Sequence, residues 1–319
     1  MARMLRNVLL ATGVATLGAY QLTRAYPLRT IPNAQPAKNY DEALNRFDAL
    51  ARHDDALHDR CHPRLLTHGE QTERAIAFIH GYTNCPYQFS QLAPHFFERG
   101  YNVYLPRLPK HGFADRLSPK QGKLGVAELI QHTSQVVDIL CGLGKEITLF
   151  GFSLGGVLTA WAAQHRSELD HAVLVSPALA VKAVPLTRQI VYANSLSLLP
   201  DKFLWWDPQL KDAKLEPLHA SPRWSTRSVA AMLRLASLVL REAEKAAPAA
   251  KAVTFITNPC DETVNNRGAE LLAAAWRGHG AKLECLAFPE QWKLIHDLID
   301  PEQPEQQVDR VYAQLLEWM

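Results

Sequence analysis

From residue 74 onward the chain alternates between two textures. Short, nearly unbroken apolar runs are predicted strands: Arg74–His80 (RAIAFIH), Asn102–Pro106 (NVYLP), Ile147–Phe152 (ITLFGF), Ala172–Ser176 (AVLVS), Ala252–Thr257 (AVTFIT) and Leu283–Phe288 (LECLAF). Between them lie stretches with apolar residues at helical intervals, such as Val126–Leu140. Runs without polar alternation predict strands buried on both faces. Such strands interleaved with helices form a mostly parallel sheet with right-handed crossovers. The expected class is therefore α/β, doubly wound.

Two stretches depart from this rhythm. Between Ser176 and Ala252 no strand is evident over a span far longer than an ordinary connection, so an inserted helical cap is expected there. It contains YANSLSLLPDKFLWWDP (Tyr192–Pro208) and an Ala/Leu-rich helix over about Thr226–Ala247. Upstream, Leu44, Phe47, Leu50, Ala51 and Leu57 recur at helical spacing and predict one amphipathic helix over Tyr40–Asp59.

The first residues carry a different signal. Asn7–Thr23 (NVLLATGVATLGAYQLT) holds no charge and lies between Arg3, Arg6 and Arg24, Arg29. It is at the short limit of a membrane-spanning helix, with an apolar heart of signal-peptide length. We read it as an uncleaved signal anchor; a cleaved signal and an apolar helix lying on a soluble domain are the alternatives. The leading arginines would keep the N-terminus cytoplasmic and the catalytic part extracytoplasmic, although Arg24 and Arg29 weaken that bias. The expected organisation is then residues 1–30 as the signal segment and 31–60 as linker and leading helix. The core occupies 61–178 and 251–319, with the cap at 179–250.

Composition narrows the function. A chain of 319 residues, 47% hydrophobic and 21% charged, is globular. A net charge of +2 without charge blocks argues against a nucleic-acid partner. Cys61, Cys85, Cys141, Cys260 and Cys285 are too sparse for a disulfide framework, although one or two bridges remain possible. Cys85 and Cys260 are expected as small buried thiols. His53, His58, Cys61 and His62 cluster, but no second half-site follows, so no metal is expected.

The chemistry concentrates after the strands. ITLF runs into Gly151-Phe152-Ser153-Leu154-Gly155-Gly156, a G-x-S-x-G pattern followed by a helical run. A serine on such a strand-to-helix turn is lifted clear of the sheet, and the glycines avoid collisions with neighbouring backbone. Its hydroxyl needs a base, and the base an orienting acid. Asp261 follows the AVTFIT strand, with Glu262 as competitor; His296 and His279 are the downstream histidines, and His279 falls in the turn before the last strand. After RAIAFI, the turn His80-Gly81-Tyr82-Thr83 offers the Tyr82 N–H as an oxyanion donor alongside that of Leu154. The His80 side chain is expected to brace that loop.

The order HGYTNCP, LPRLPKHG, GFSLGG, NPCDETVN, IHD resembles the α/β-hydrolase superfamily over about Arg64–Met319, in its carboxylesterase and monoacylglycerol-lipase-like branch, grouped with serine aminopeptidase S33 domains. The resemblance implies an α/β-hydrolase fold. It also implies Ser153 as nucleophile, Asp261 and His296 as its partners, Tyr82 and Leu154 as oxyanion donors, and no cofactor. One departure stands out: Leu294 and Ile295 precede the histidine where many members have Gly or Ser. A cap covers the site in this family, and Phe203, Leu204, Trp205 and Trp206 are candidates to line an acyl pocket. The expected function is hydrolysis of carboxylic esters, from short to medium acyl esters to monoacylglycerol-like lipids. Acyl transfer or S33-type peptide cleavage on the same residues is the alternative, and a catalytically silent membrane-tethered binding module the reading of another class.

Overall fold

The computed structural model describes residues 21–24, 31–51 and 56–319. Seven strands form one twisted sheet. In chain order they are β1 (Arg64–Leu66), β2 (Thr72–Ile79), β3 (Tyr101–Leu105), β4 (Gly144–Phe152), β5 (His171–Val175), β8 (Ala252–Thr257) and β9 (Leu283–Ala287). Their spatial order is β1-β3-β2-β4-β5-β8-β9, all parallel except β1, which runs antiparallel to β3 at the edge. The doubly wound α/β class is the one expected.

Both faces of the sheet are covered. Ala75, Ala77 and Ile79 of β2 point into one apolar layer with α1 (Tyr40–Ala51), α3 (Val126–Leu143) and α4 (Leu154–His165). Ile76 and Phe78 of the same strand point into the other, with α2 (Ala93–Glu98) and α8 (Val308–Trp318). Period-two side chains on a doubly covered strand produce the continuous apolar run that marked these segments. Edge strand β9 is the exception, with Glu284, Cys285 and Ala287 exposed. β1 was not expected, because three residues lying on one edge leave no periodic signal.

The insertion is smaller and less helical than its sequence implied. It holds α5 (Gln189–Leu198) and an antiparallel ribbon of β6 (Phe203–Trp205) with β7 (Arg223–Ser225). The long helix that follows, α6 (Thr226–Ala243), buries Leu233, Leu235, Ala236 and Val239 in the same layer as α4 and α7 (Arg267–Gly278). It is the crossover from β5 to β8 and belongs to the core. Its first turn is fixed by Ser225, whose Oγ accepts the Ser228 N–H.

Near the N-terminus the described leading helix spans Tyr40–Ala51, and Leu57 pairs with Phe113 in an isolated bridge instead of carrying it to the Asp59 expected. Asp59–Cys61 form a separate 3-10 turn capped by His58. His53 and the apolar run up to Tyr20 lie outside the described residues. Among the described residues no helix is long and apolar enough to cross a membrane. Residues 21–24 touch the insertion, where buried Asn194 of α5 donates from Nδ2 to the carbonyl oxygens of Leu22 (2.8 Å) and Arg24 (3.0 Å).

Candidate active site

Ser153 occupies the bend between β4 and α4 with φ of 54°, a left-handed conformation that side chains rarely adopt. The backbone around it explains the glycines. A Cβ on Gly151 would stand 2.1 Å from the Gly155 carbonyl oxygen, and one on Gly155 would stand 2.0 Å from that of Ile79. Ser153 is thereby held at the carboxyl edge of the sheet, where its N–H donates to the Val175 carbonyl at 3.0 Å.

Two loops from neighbouring strands converge on it. Beyond β8, Asp261 is fully buried, and its Oδ1 accepts the N–H groups of Thr263 (2.9 Å) and Val264 (2.7 Å). Its Oδ2 lies 2.6 Å from His296 Nδ1, and His296 Nε2 lies 3.0 Å from Ser153 Oγ. Burial alone would raise the Asp261 carboxyl. The His296 hydrogen bond and charge, with the two backbone N–H groups, outweigh it and hold the group below its ordinary range. An ionised carboxylate only accepts, so Nδ1 of His296 carries the proton and Nε2 is left to accept from Ser153.

The competitors are elsewhere. The Glu262 side chain is exposed and faces Lys182 at 3.4 Å. His279 is exposed in the turn before β9, with Nε2 3.1 Å from the Glu244 carbonyl oxygen. Leu294, one of the two residues that depart from the family pattern, is buried. The Asn258 amide donates to the carbonyl oxygens of Leu294 (3.0 Å) and Ile295 (3.1 Å), so a side chain stabilises the histidine loop here.

The turn after β2 faces the serine from the other side. His80 Nε2 accepts the Leu108 N–H at 3.0 Å, which leaves the proton on Nδ1, 2.9 Å from the Gly81 carbonyl oxygen. Because a trans peptide points its C=O and the following N–H in opposite directions, pinning the Gly81 oxygen also aims the Tyr82 N–H. Leu154 opens α4, where the first N–H groups have no intrahelical partner. The Tyr82 hydroxyl reaches the ribbon and accepts the Ser225 N–H at 3.0 Å.

Ser153, His296, Gly81 and Tyr82 border a cavity of about 610 Å³, within the size range of small-molecule sites. Tyr192, Trp206, Trp224, Val229 and Met232 supply apolar wall. Of the four expected pocket residues only Trp206 lines it; Phe203, Leu204 and Trp205 do not. They form strand β6, where Phe203 packs under the Arg223 guanidinium and Leu204 is exposed. Trp206 follows the strand and donates its indole N–H to Thr83 Oγ1 at 2.9 Å. Trp224 was missed, although pairing opposite Leu204 gives it the same two-residue alternation.

The cysteines differ from expectation. Cys85, expected as a free thiol, forms a disulfide with Cys61, with Cα atoms 5.3 Å apart, joining the 3-10 turn to the loop after β2. Cys260 is unbridged, its Sγ directed at the Glu290 carbonyl oxygen. Among the described residues no group of three or more His, Cys, Asp or Glu side chains is arranged to hold a metal ion.

A profile of the alpha/beta hydrolase family matches residues 76–310, which is most of the chain. The chain belongs to the alpha/beta hydrolase family. Among curated family relatives, a thermostable monoacylglycerol lipase from Bacillus sp. (strain H-257) is 27% identical over 117 residues, 34% of this chain. That match spans 42% of the relative's own length. Among solved structures, a monoacylglycerol lipase from Paleococcus ferrophilus superposes with a TM-score of 0.61 at 20% identity, covering 81% of this chain and 97% of that one. A soluble variant of monoglyceride lipase from Saccharomyces cerevisiae gives 0.58 at 15% identity, covering 81% and 89%. The family is the one the motif order resembled.

Proposed function

We propose that this chain is a serine-dependent carboxylic ester hydrolase acting on short to medium acyl esters or monoacylglycerol-like lipids. The observation that carries the reading is the hydrogen-bonded series Ser153, His296, Asp261, opening on a largely apolar cavity. His296 Nε2 takes the Ser153 proton as Oγ attacks the ester carbonyl. The N–H groups of Tyr82 and Leu154 receive the developing oxyanion, worth about 3 kcal/mol per donor. The imidazolium, steadied by Asp261, gives its proton to the departing alkoxide, and the alcohol leaves. Water then repeats the sequence on the acyl-enzyme, releasing the acid and restoring Ser153.

The relatives support ester substrates, and the wall of Trp206, Trp224, Val229 and Met232 supports an acyl group rather than a polar one. Hydrolysis of p-nitrophenyl esters of increasing chain length by wild type and Ser153→Ala tests the assignment. The variant should lose activity by at least about 10³-fold; undiminished hydrolysis by it rejects the reading. Acyl transfer or peptide cleavage uses the same residues with another acceptor or leaving group, and product analysis with added alcohol separates transfer from hydrolysis. A silent binding module would leave Ser153 unlabelled by a fluorophosphonate.

The apolar N-terminal run as a membrane anchor is a separate reading. The Cys61–Cys85 disulfide supports the extracytoplasmic side, since reducing compartments keep thiols free. Removing Met1–Arg24 should release the protein from membranes; full-length protein already free of them rejects the anchor.

A further inference from the structure

The residue after His296 takes no part in the chemistry above, yet three side-chain amides are directed at it. Asp297 Oδ1 accepts from Gln88 Nε2 at 2.8 Å; Oδ2 accepts from Asn84 Nδ2 at 3.1 Å and Gln303 Nε2 at 3.0 Å. Gln88 and Asn84 are themselves buried. At its other end, the Gln88 amide oxygen accepts the N–H of Gly81, the residue before the oxyanion donor Tyr82, at 2.8 Å. Asn84 Nδ2 also donates to buried Asp300 at 2.7 Å, and Asp300 Oδ2 lies 2.8 Å from His219 Nε2 in the insertion.

Two loops that must be in register for catalysis are thus joined through Gln88 and Asn84, and Gln88 alone also holds the backbone of the oxyanion turn. Gly81 N–H, Gln88 and Asp297 make a continuous path from the oxyanion turn to the histidine loop, with no triad atom in it. We propose that Gln88 and Asp297 are positioning residues that set His296 against the oxyanion hole, so that base and donors move as one unit. The proposal rests on Ser153 and His296 acting as described above. Burial and the neighbouring Asp300 carboxylate push the Asp297 carboxyl above its ordinary range. A position chosen only for stability would favour a neutral side chain.

The direction of each hydrogen bond yields a stringent test. Asp297→Asn replaces one of the two acceptor oxygens with an N–H₂ group, so either Gln88 or the pair Asn84 and Gln303 loses its acceptor. Gln88→Glu sets two carboxylates against each other. Combining the two substitutions inverts the pair and keeps every side-chain bond, giving up only the long one from the Asp300 N–H to Asp297 Oδ1 at 3.3 Å. The carboxylate introduced at position 88 accepts both from Gly81 N–H and from the new amide at position 297, whose oxygen still accepts from Asn84 and Gln303. With p-nitrophenyl butyrate, each single variant should lose about 100-fold in kcat with KM within about two-fold, the scale of a small misplacement of reacting groups. The Gln88→Glu, Asp297→Asn double variant should recover to within about three-fold of wild type.

Single variants with wild-type kcat overturn the proposal, as does a folded double variant as slow as its parents. Should the singles not fold, the double decides alone. Should it also fail, neutral Gln88→Met decides, since it cuts the path and should lower kcat with KM held; an unchanged kcat overturns the proposal. Failure of the hydrolase reading itself is seen separately, as undiminished activity in Ser153→Ala.

Discussion

At the scale of single residues, burial governs the histidines as strongly as hydrogen bonding does. Packed behind the turn after β2, His80, His111 and His132 are buried, and desolvation pushes His111 and His132 down to about 4 and His80 well below its usual value. Each is neutral when folded, while an unfolded chain takes up a proton near pH 6.5. Stability from these groups is therefore complete above pH 6.5 and is lost as pH falls toward 4, by up to about 1.4 kcal/mol per pH unit and group. Urea unfolding at pH 7.5, 6 and 5 should show that slope. His132→Gln should flatten it even if the variant is weaker throughout, and an unchanged slope contradicts the account. The bracing part of His80 was expected from its turn, but the burial of His132 was not readable from the sequence. A histidine in a helical pattern carries no mark of the layer it enters, whereas Ser153 announced itself because packing at Gly151 and Gly155 leaves no room for a Cβ.

At the scale of elements, strands buried on two faces were legible as apolar runs, and the site loops followed from them, because ligand loops gather at the carboxyl ends of parallel strands. The insertion was not legible in the same way. Its ribbon alternates over only three residues per strand, too few to register, and its loop conformation is imposed from outside. Arg116 does this: its guanidinium donates to the carbonyl oxygens of Ala213, Leu215, Pro217 and Ala220, at 2.5 to 2.9 Å. Leu215, Pro217 and Ala220 line the cavity. A lysine keeps the charge but not the planar fork. Arg116→Lys should thus raise KM about ten-fold for the longest ester accepted and leave kcat within about three-fold. A uniform loss across all chain lengths would show that Arg116 does not shape the pocket wall.

At the scale of the whole molecule, the disulfide joins a turn upstream of the family match to the loop after β2, closing a loop of 24 residues. Cross-links of that span stabilise by about 3 kcal/mol. Reduction should lower the melting temperature, and a Cys61→Ala, Cys85→Ala variant should match the reduced protein; equal melting of oxidised and reduced forms would show the bridge to be idle. The pairing was hidden because five scattered cysteines permit many partners and only the fold brings two of them together. The insertion is fastened as firmly, through Arg116, through Trp206 on Thr83, and through His219 on Asp300. That last fastening bears on how such folds can be recombined. His219 and Asp300 are both wholly buried, one in the insertion and one in the histidine loop. A foreign insertion grafted between residues 177 and 225 without a partner for Asp300 would leave this buried carboxyl group the Asn84 amide and the Glu302 N–H but no imidazole, beside the loop that carries His296. The insertion is therefore not an interchangeable cassette; its sequence and that of the loop after His296 must be exchanged together.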